Sequence, residues 1–390
     1  MTQSGGDWNT ARLSSAQRIK QVYERFPYPG NDLAALLRRG GSMPALKWMQ
    51  GIGRPGRGAP RRVLVAGCGT GVEALVLRRQ LPKAEIVAVD FSPRSIAVAR
   101  KLERVAQVGR AITFTVADLT DAKLAEKIGG DFDLITCHGV LSYIPEPARA
   151  LRALVTCLAA GGALYLGVNG AGHPTTTLRP WLQSFGIDVS EMKEERRLRT
   201  LLQLWDALHD DDLGELSTMP TSYLAGDVCG AFFNNGSLAY WRTLVRRSGW
   251  AVAGTAILPP ALRLVMDGGR ERPLFPAEPG EVAARLDAVR PAGFHRMMLR
   301  RVEPRETARI WTGLYTVKYG ARTAQFFSAT LGVRFEDELT APQIAALKSL
   351  ATKKGAPEGW QKLWTRSDAG RRMLWRWTGL GVVSAQFLGR

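Results

Sequence analysis

Three glycines and two aspartates stand at spacings that suit a nucleoside-binding pocket. Gly67, Gly69 and Gly71 follow an apolar, β-prone run and precede a helical pattern. Glycine permits a tight turn against a ligand, and a helix N-terminus adds N–H donors. Asp90 ends a second β-prone run, where a carboxylate can accept both hydroxyls of a ribose. Asp118 ends a third run, within reach of a purine amino group.

Alternating strand and helix patterns must position these residues. Apolar strands joined by helices predict a parallel sheet with both faces covered. A helix over 237–248 and strands over 250–257 and 294–302 could complete the same sheet. The other predicted strands cover 62–66, 85–89, 112–116, 133–137 and 162–168, with helices over 72–79, 93–107 and 147–158.

Five motifs between residues 61 and 170 carry a family resemblance. They are the Gly67-Cys68-Gly69-Thr70-Gly71 turn, Val89-Asp90-Phe91-Ser92, Asp118, Phe132-Asp133-Leu134-Ile135 and Leu141-Ser142-Tyr143-Ile144-Pro145. In their order and spacing, this segment resembles the core of the class I S-adenosylmethionine-dependent methyltransferases. One departure is Val65, which stands where that family commonly has an acidic residue. No carboxylate from that strand can therefore help to fix the methionine end of the cofactor.

The resemblance implies an α/β fold, namely a three-layer α/β/α Rossmann-like methyltransferase core, with S-adenosyl-L-methionine as cofactor. It also implies which residues line the cofactor pocket. These are Gly67, Cys68, Gly69, Gly71, Asp90, Phe91, Asp118, Leu119, His138 and Tyr28.

A Pro-Tyr-Pro segment precedes the core. Residues 23–30 read Tyr-Glu-Arg-Phe-Pro-Tyr-Pro-Gly and resemble a signature of a bacterial subgroup of these enzymes. Tyr23 or Tyr28 could fold over the cofactor, because its sulfonium cation favours aromatic faces. The alternative is a proline-fixed corner that packs on the core.

The end of the fourth strand bears on the methyl acceptor. It reads Cys137-His138-Gly139-Val140, without the Asp/Asn-Pro-Pro-aromatic signature of enzymes that methylate exocyclic base or amide nitrogens. Methyl transfer needs alignment and, for some acceptors, removal of a proton. His138 and Tyr143 are therefore the predicted catalytic residues, and His138 as the base would titrate near pH 6.5. The alternative for His138 is a hydrogen-bonded structural role.

Residues 170–235 interrupt the strand pattern and form a candidate lid. His173 and His209 lie in this segment and either contact the acceptor or are solvated. Asn235 is interpreted as part of a helix N-cap region rather than a substrate clamp. Cys68 and Cys137 are interpreted as packing residues beside the cofactor.

The domain prediction has three parts. Residues 1–60 form an N-terminal helical cap and a Gly/Pro/Arg linker, and residues 61–303 form the core with the lid at about 170–235. Residues 304–390 contain five tryptophans and are predicted to form a helical C-terminal extension. Within it, the arginines and tryptophans of 371–377 suggest a helix that buries one face.

The positive charge of the chain and its candidate lid lead to two hypotheses about the methyl acceptor. The 390-residue chain has a net charge of +18, and its flanks carry most of it: 11 basic against 3 acidic residues in 1–62, and 14 against 6 in 304–390. A lid over the pocket favours a small-molecule or peptide substrate. The alternative is an RNA methyltransferase whose basic flanks hold phosphates. Solvated arginine faces and an acidic membrane surface also remain open.

Cysteine usage and hydropathy indicate the compartment. The four cysteines are far apart and form no C-x-x-C pair, which disfavours disulfides and a zinc site. The first residues lack a secretion signal, and no apolar stretch is long enough to span a bilayer. We therefore expect a cytoplasmic enzyme without a metal, whose oligomeric state the sequence leaves open.

Overall fold

The computed structural model describes most of the chain outside the first residues, a segment before residue 287 and much of the C-terminal region. The described residues are 14–41, 43, 46, 49, 54, 57–190, 192–208, 215–255, 284, 287–301, 316–328, 333–350, 367, 369, 370, 373 and 377. His209, Trp311, Trp360, Trp364 and Trp375 of the sequence predictions lie outside them, as do most of the residues in 371–377.

A seven-stranded sheet forms the centre of the chain. Its strand order is β3-β2-β1-β4-β5-β7-β6, in which β1 to β5 are parallel and β7 is antiparallel to both of its neighbours. The prediction that the last two strands complete the sheet is confirmed. The strands are β1 (Arg62–Ala66), β2 (Glu85–Asp90), β3 (Thr113–Val116), β4 (Phe132–His138), β5 (Leu158–Asn169), β6 (Trp250–Thr255) and β7 (Phe294–Arg301).

Helices cover both faces of this sheet. Four of them begin with a side-chain cap; for example, the Ser92 hydroxyl accepts a hydrogen bond from the N–H of Ser95 in front of Pro93. The helices are α1 (Ser15–Arg25), α2 (Leu33–Arg38), α3 (Val72–Gln80), α4 (Pro93–Ala106), α5 (Leu124–Ile128), α6 (Pro147–Thr156), α7 (Thr175–Ser184), α8 (Glu195–Leu208) and α9 (Leu238–Arg247).

The apolar core lies on the two faces of the sheet. Alternate residues of β1 separate them, since Val63 and Val65 join one cluster and Leu64 joins the other. Two fully buried tryptophans fix the second cluster through their indole nitrogens. Trp241 donates to the Asn169 carbonyl at 2.9 Å, and Trp250 donates to the Leu151 carbonyl at 2.9 Å.

The N-terminal cap and the candidate lid share a third apolar cluster. Leu178 of α7, Leu202 of α8 and Leu224 are buried in it. Val22 and Phe26, at the end of α1, pack against the same cluster. The cap and the lid therefore pack against each other through this cluster.

The C-terminal extension differs from the sequence prediction. It contains a three-stranded antiparallel sheet, β8 (Thr316–Tyr319), β9 (Thr323–Ser328) and β10 (Val333–Glu338), followed by α10 (Ala341–Leu350). The expectation of a wholly helical extension is therefore wrong. Apolar and polar residues alternate along β8, which is the period of a half-buried strand.

The extension packs on the core of the chain. Phe326 of β9 and Trp377 belong to the same apolar cluster as Val63 and Val65. The Trp377 indole N–H donates to the Asp337 carboxylate at 2.6 Å. These contacts place the extension on one face of the central sheet.

The described part of the chain is informative about membrane-spanning helices, metal sites and disulfides. None of its helices is long and apolar enough to cross a membrane. No group of three or more His, Cys, Asp or Glu side chains in it is arranged to hold a metal ion. The four cysteines are buried free thiols.

Candidate active site

The glycine turn after β1 requires glycine because other segments approach it closely. A Cβ on Gly67 would lie 2.4 Å from a Val140 methyl carbon, and one on Gly69 would lie 2.5 Å from the Tyr28 carbonyl oxygen. Their φ angles are +74° and +52°, in the left-handed region that favours glycine. The Thr70 N–H donates to the same Tyr28 carbonyl at 2.9 Å. The Pro-Tyr-Pro segment therefore lies directly on the turn.

Gly71 has a different role from the other two glycines. It is the N-cap of α3, with a φ of +93°, and its Cβ would lie 2.9 Å from the Cβ of Ala99 in α4. It is not among the residues that line the cavity described below. The structure thus places Gly71 at a helix–helix contact, whereas the sequence placed it at the cofactor.

Asp90 holds the turn and faces the cavity. Its Oδ2 accepts from the Gly69 N–H and its Oδ1 from the Ser92 N–H, both at 2.9 Å. Burial raises the pKa of Asp90 to about 6, although these backbone donors act in the opposite direction. Each carboxylate oxygen keeps a lone pair for a further donor such as a ribose hydroxyl.

A cavity of about 1180 Å³ opens at the carboxyl ends of the parallel strands. It exceeds the volume that a single small ligand usually fills, so it has room for a nucleoside cofactor and an acceptor. Ten predicted site residues line it: Tyr28, Gly67, Cys68, Gly69, Asp90, Phe91, Asp118, Leu119, His138 and Tyr143.

His138 is held in one tautomer by its neighbours. Its Nδ1 lies 2.8 Å from the Tyr165 hydroxyl, which also hydrogen-bonds the Arg296 side chain. Because a guanidinium only donates, the Tyr165 hydroxyl accepts from Arg296 and donates its own hydrogen to Nδ1. The proton of the neutral ring then sits on Nε2. Burial, helped by Arg296, lowers the pKa of His138 to about 4.

We therefore expect the His138 ring to stay neutral across the physiological range, with no titration near pH 6.5. The side chain can be followed by imidazole ¹⁵N NMR, because the chain has only 4 histidines and His138→Ala identifies the signal. The shifts should report the Nε2–H tautomer, and Tyr165→Phe should allow both tautomers. A midpoint close to 6.5 would instead restore His138 as a general base.

A carboxylate that the sequence did not single out completes the cavity wall. Asp227 lies in the π-helical turn Leu224–Val228. Its Oδ2 accepts from the Tyr28 hydroxyl at 2.8 Å and its Oδ1 from the Tyr143 hydroxyl at 2.7 Å. Asn169 Nδ2 donates to the Tyr143 oxygen at 3.2 Å. No motif links these four residues, which come from the cap, the β4 loop, β5 and the lid.

The tyrosines beside Asp227 are hydrogen-bond donors at neutral pH. Burial, and then the nearby Asp227 carboxylate, raise the pKa of Tyr23, Tyr28 and Tyr143 above the ordinary value. Their hydroxyls thus remain protonated. Tyr143, a predicted catalytic residue, can orient groups in the cavity but does not supply a phenolate base.

His173 and Asn235 are the other two candidate residues within the described part of the chain. His173 lines the cavity, its Nδ1 lies 2.7 Å from the Thr175 hydroxyl, and burial lowers its pKa to about 4. Asn235 bonds Asn169 and Thr175, whereas the N-cap of α9 is Ser237.

The buried thiols are not poised to ionise. Burial raises the pKa of Cys68 well above its ordinary value, and the Asp90 carboxylate acts in the same direction. Burial also raises the pKa of Cys137 to about 12. A packing role fits both thiols, because the thiolate is the reactive form.

Comparison with known proteins agrees with this geometry. Residues 64–164 match the family described as methyltransferase domain. The prediction of a methyltransferase core is confirmed for this segment, while the Pro-Tyr-Pro subgroup stays a prediction.

Two curated relatives cover part of the chain. An uncharacterised protein of a Synechococcus strain is 35% identical over 164 residues, which is 40% of this chain and 37% of that protein. A ubiquinone biosynthesis O-methyltransferase of Pseudomonas aeruginosa is 31% identical over 110 residues, 28% of this chain and 44% of that enzyme. The chain thus aligns with less than half the length of either relative.

A solved structure resembles a larger share of the fold. PKMT2 from Rickettsia typhi, in complex with AdoHcy, aligns with 87% of this chain and 75% of its own, at a TM-score of 0.51 and 15% identity. The predicted α/β fold is confirmed by this likeness.

Proposed function

We propose that the chain transfers the methyl group of S-adenosylmethionine to a small-molecule or peptide acceptor. The observation that carries the proposal is the single cavity that joins the glycine turn, Asp90 and Asp118 to an area covered by the lid. This arrangement supports the binding of two ligands side by side at the carboxyl ends of the strands, where open α/β sheets bind ligands.

The residues of the turn fit the nucleoside part of the cofactor. Gly67 and Gly69 line the cavity with bare backbone, and Val140 and Tyr28 occupy the positions that a Cβ on them would need. Asp90 offers its remaining lone pairs to ribose hydroxyls, and Asp118 lies farther along the cavity wall. When bound, the cofactor supplies a methyl group on a cationic sulfur. The chain needs to align the acceptor with it and exclude water.

The lid and β7 both contribute to the wall of the cavity. His173 and Pro174 of the lid line it together with Phe294 and Arg296 of β7. A concave site of this kind suits a compact molecule or a single side chain better than a folded RNA. The RNA alternative rests on the charge of the flanks.

We expect labelled S-adenosylmethionine, incubated with the protein and a fractionated bacterial extract, to label metabolites or proteins. Asp90→Ala serves as the control for background transfer. Label in the RNA fraction, with RNA binding that weakens as salt rises, would favour the RNA alternative. Absence of S-adenosylhomocysteine binding by calorimetry would contradict the proposed function itself.

A further inference from the structure

Four tyrosines and Asp227 line the cavity. We call Tyr23, Tyr28, Tyr143 and Tyr223, with Asp227 among them, the tyrosine cage. The Tyr28 and Tyr223 ring centroids are 6.2 Å apart. A Cβ on Gly226 would lie 3.0 Å from the Tyr28 ring and 3.7 Å from the Tyr23 hydroxyl, so the lid backbone passes close to both.

The Asp227 carboxylate of the cage accepts hydrogen bonds from neutral groups. The two donors to Asp227 are the phenols of Tyr28 and Tyr143. Among the described residues, the ion pairs do not include Asp227. Arg39, an exposed side chain that also lines the cavity, acts on the carboxylate without an ion pair to it. Since a buried charge is costly without a counterion, the cage is suited to a cation.

We propose that the tyrosine cage binds the amino group of the methyl acceptor, so that the substrate class is an aliphatic amine. The amine can be a free molecule or a lysine side chain, which present the same ammonium group. This inference rests on the proposed function and specifies its acceptor.

The composition of the cage distinguishes an amine from a neutral acceptor. Aromatic faces attract a cation, and a carboxylate adds a charge-assisted hydrogen bond. A neutral hydroxyl or thiol acceptor can donate a hydrogen bond to the Asp227 carboxylate, but it gains neither the charge–charge attraction nor the cation–π attraction of the rings. The cage thus explains why a carboxylate lies among four phenols.

The position of the cage fits transfer from the cofactor. Tyr28 lies on the glycine turn through its carbonyl contact with Thr70, and Tyr143 follows β4. Both side chains, with Tyr223 and Asp227, line the same cavity as Asp90. The cage therefore joins residues of the lid to residues that the sequence assigns to the cofactor.

Asp227 can also accept the proton that the ammonium must lose before methyl transfer. An ammonium has no lone pair, so it first gives one proton to the Asp227 carboxylate. The neutral nitrogen then forms a bond to the methyl carbon while the carbon–sulfur bond breaks and its electron pair stays on sulfur. Burial raises the pKa of Asp227, which favours proton transfer to it.

The cofactor has two cationic groups that could occupy the cage instead of the acceptor, namely its sulfonium and its α-ammonium. Binding of S-adenosylmethionine and S-adenosylhomocysteine to Asp227→Asn separates them. If the cage holds the acceptor, both affinities stay within a few-fold of wild type. A loss for S-adenosylmethionine alone assigns the cage to the sulfonium, and an equal loss for both assigns it to the α-ammonium. Either loss overturns the proposal.

The acceptor site is tested on the wild-type protein loaded with S-adenosylhomocysteine. We expect saturable binding of n-butylammonium, and none of 1-butanol, which has the same length without the charge. N-acetyl-lysine methylamide is the second probe, and the tighter of the two indicates a free amine or a lysine side chain. If neither amine binds while S-adenosylhomocysteine does, the amine site is refuted and the proposed function stands. If S-adenosylhomocysteine itself does not bind, the proposed function fails.

Variants connect this binding to the cage. Asp227→Asn should weaken amine binding by about 10-fold or more, since a charge-assisted hydrogen bond is lost. Glu215→Gln removes one carboxylate from an exposed position of the lid outside the cavity and should leave amine binding unchanged. Equal amine affinity in wild type and folded Asp227→Asn contradicts the proposal.

Discussion

Gly69→Ala will reduce binding of S-adenosylhomocysteine by about 100-fold or more. At a φ of +52°, an L-residue costs about 1–2 kcal/mol, and the new Cβ would meet the Tyr28 backbone oxygen at 2.5 Å. The turn must shift, which breaks the bond from the Gly69 N–H to Asp90 at a further cost of about 1.5–3 kcal/mol. Titration calorimetry measures the affinity.

Gly130→Ala is the matched control for this prediction. A Cβ there has only ordinary contact, 3.9 Å from the Thr156 carbonyl oxygen, so its affinity should equal that of wild type. A folded Gly69→Ala protein with unchanged affinity would show that the ligand does not bind against the turn.

Asp90→Ala will weaken cofactor binding by about 2–3 kcal/mol, or roughly 30- to 150-fold. Asp90 would lose its bonds to ligand hydroxyls and also release the Gly69 and Ser92 N–H groups. Since its pKa is about 6 in the free protein, the wild-type affinity should fall as the pH is lowered below that value. The carboxylate is the stronger acceptor, and protonation removes its charge.

The exposed carboxylate Glu126 supplies the comparison for Asp90. Glu126→Ala should bind the cofactor like wild type at every pH. Unchanged affinity of a folded Asp90→Ala protein would remove the ribose assignment, and so would binding of NAD by the wild type.

Local signals made most of the fold and the cofactor side of the cavity predictable. Strand, turn and helix follow each other within a few residues around Gly67 and Gly69, so the sequence pattern carries the geometry. Asp90 is placed by the same logic, because it ends the strand next to β1. Parallel strands bring such ends to one edge of the sheet.

The acceptor side could not be predicted because it depends on long-range contacts. Asp227 bonds Tyr28 across 199 positions and Tyr143 across 84, and no spacing rule joins them. The state of His138 depends on Arg296, which comes from a strand far along the chain. The sequence therefore predicts a general base at His138, whereas its neighbours in the structure make it a neutral hydrogen-bond donor.

The apolar cluster shared by the cap and the lid has a consequence for the entry and release of ligands. Phe26 of the cap and Leu224 of the lid are joined in it, and Tyr28 also touches the glycine turn. Moving either segment outward alone would expose this apolar surface to water. We therefore expect the two segments to move together whenever a ligand enters or leaves the cavity. In the proposed methyl transfer, both products would then depart in a single opening event.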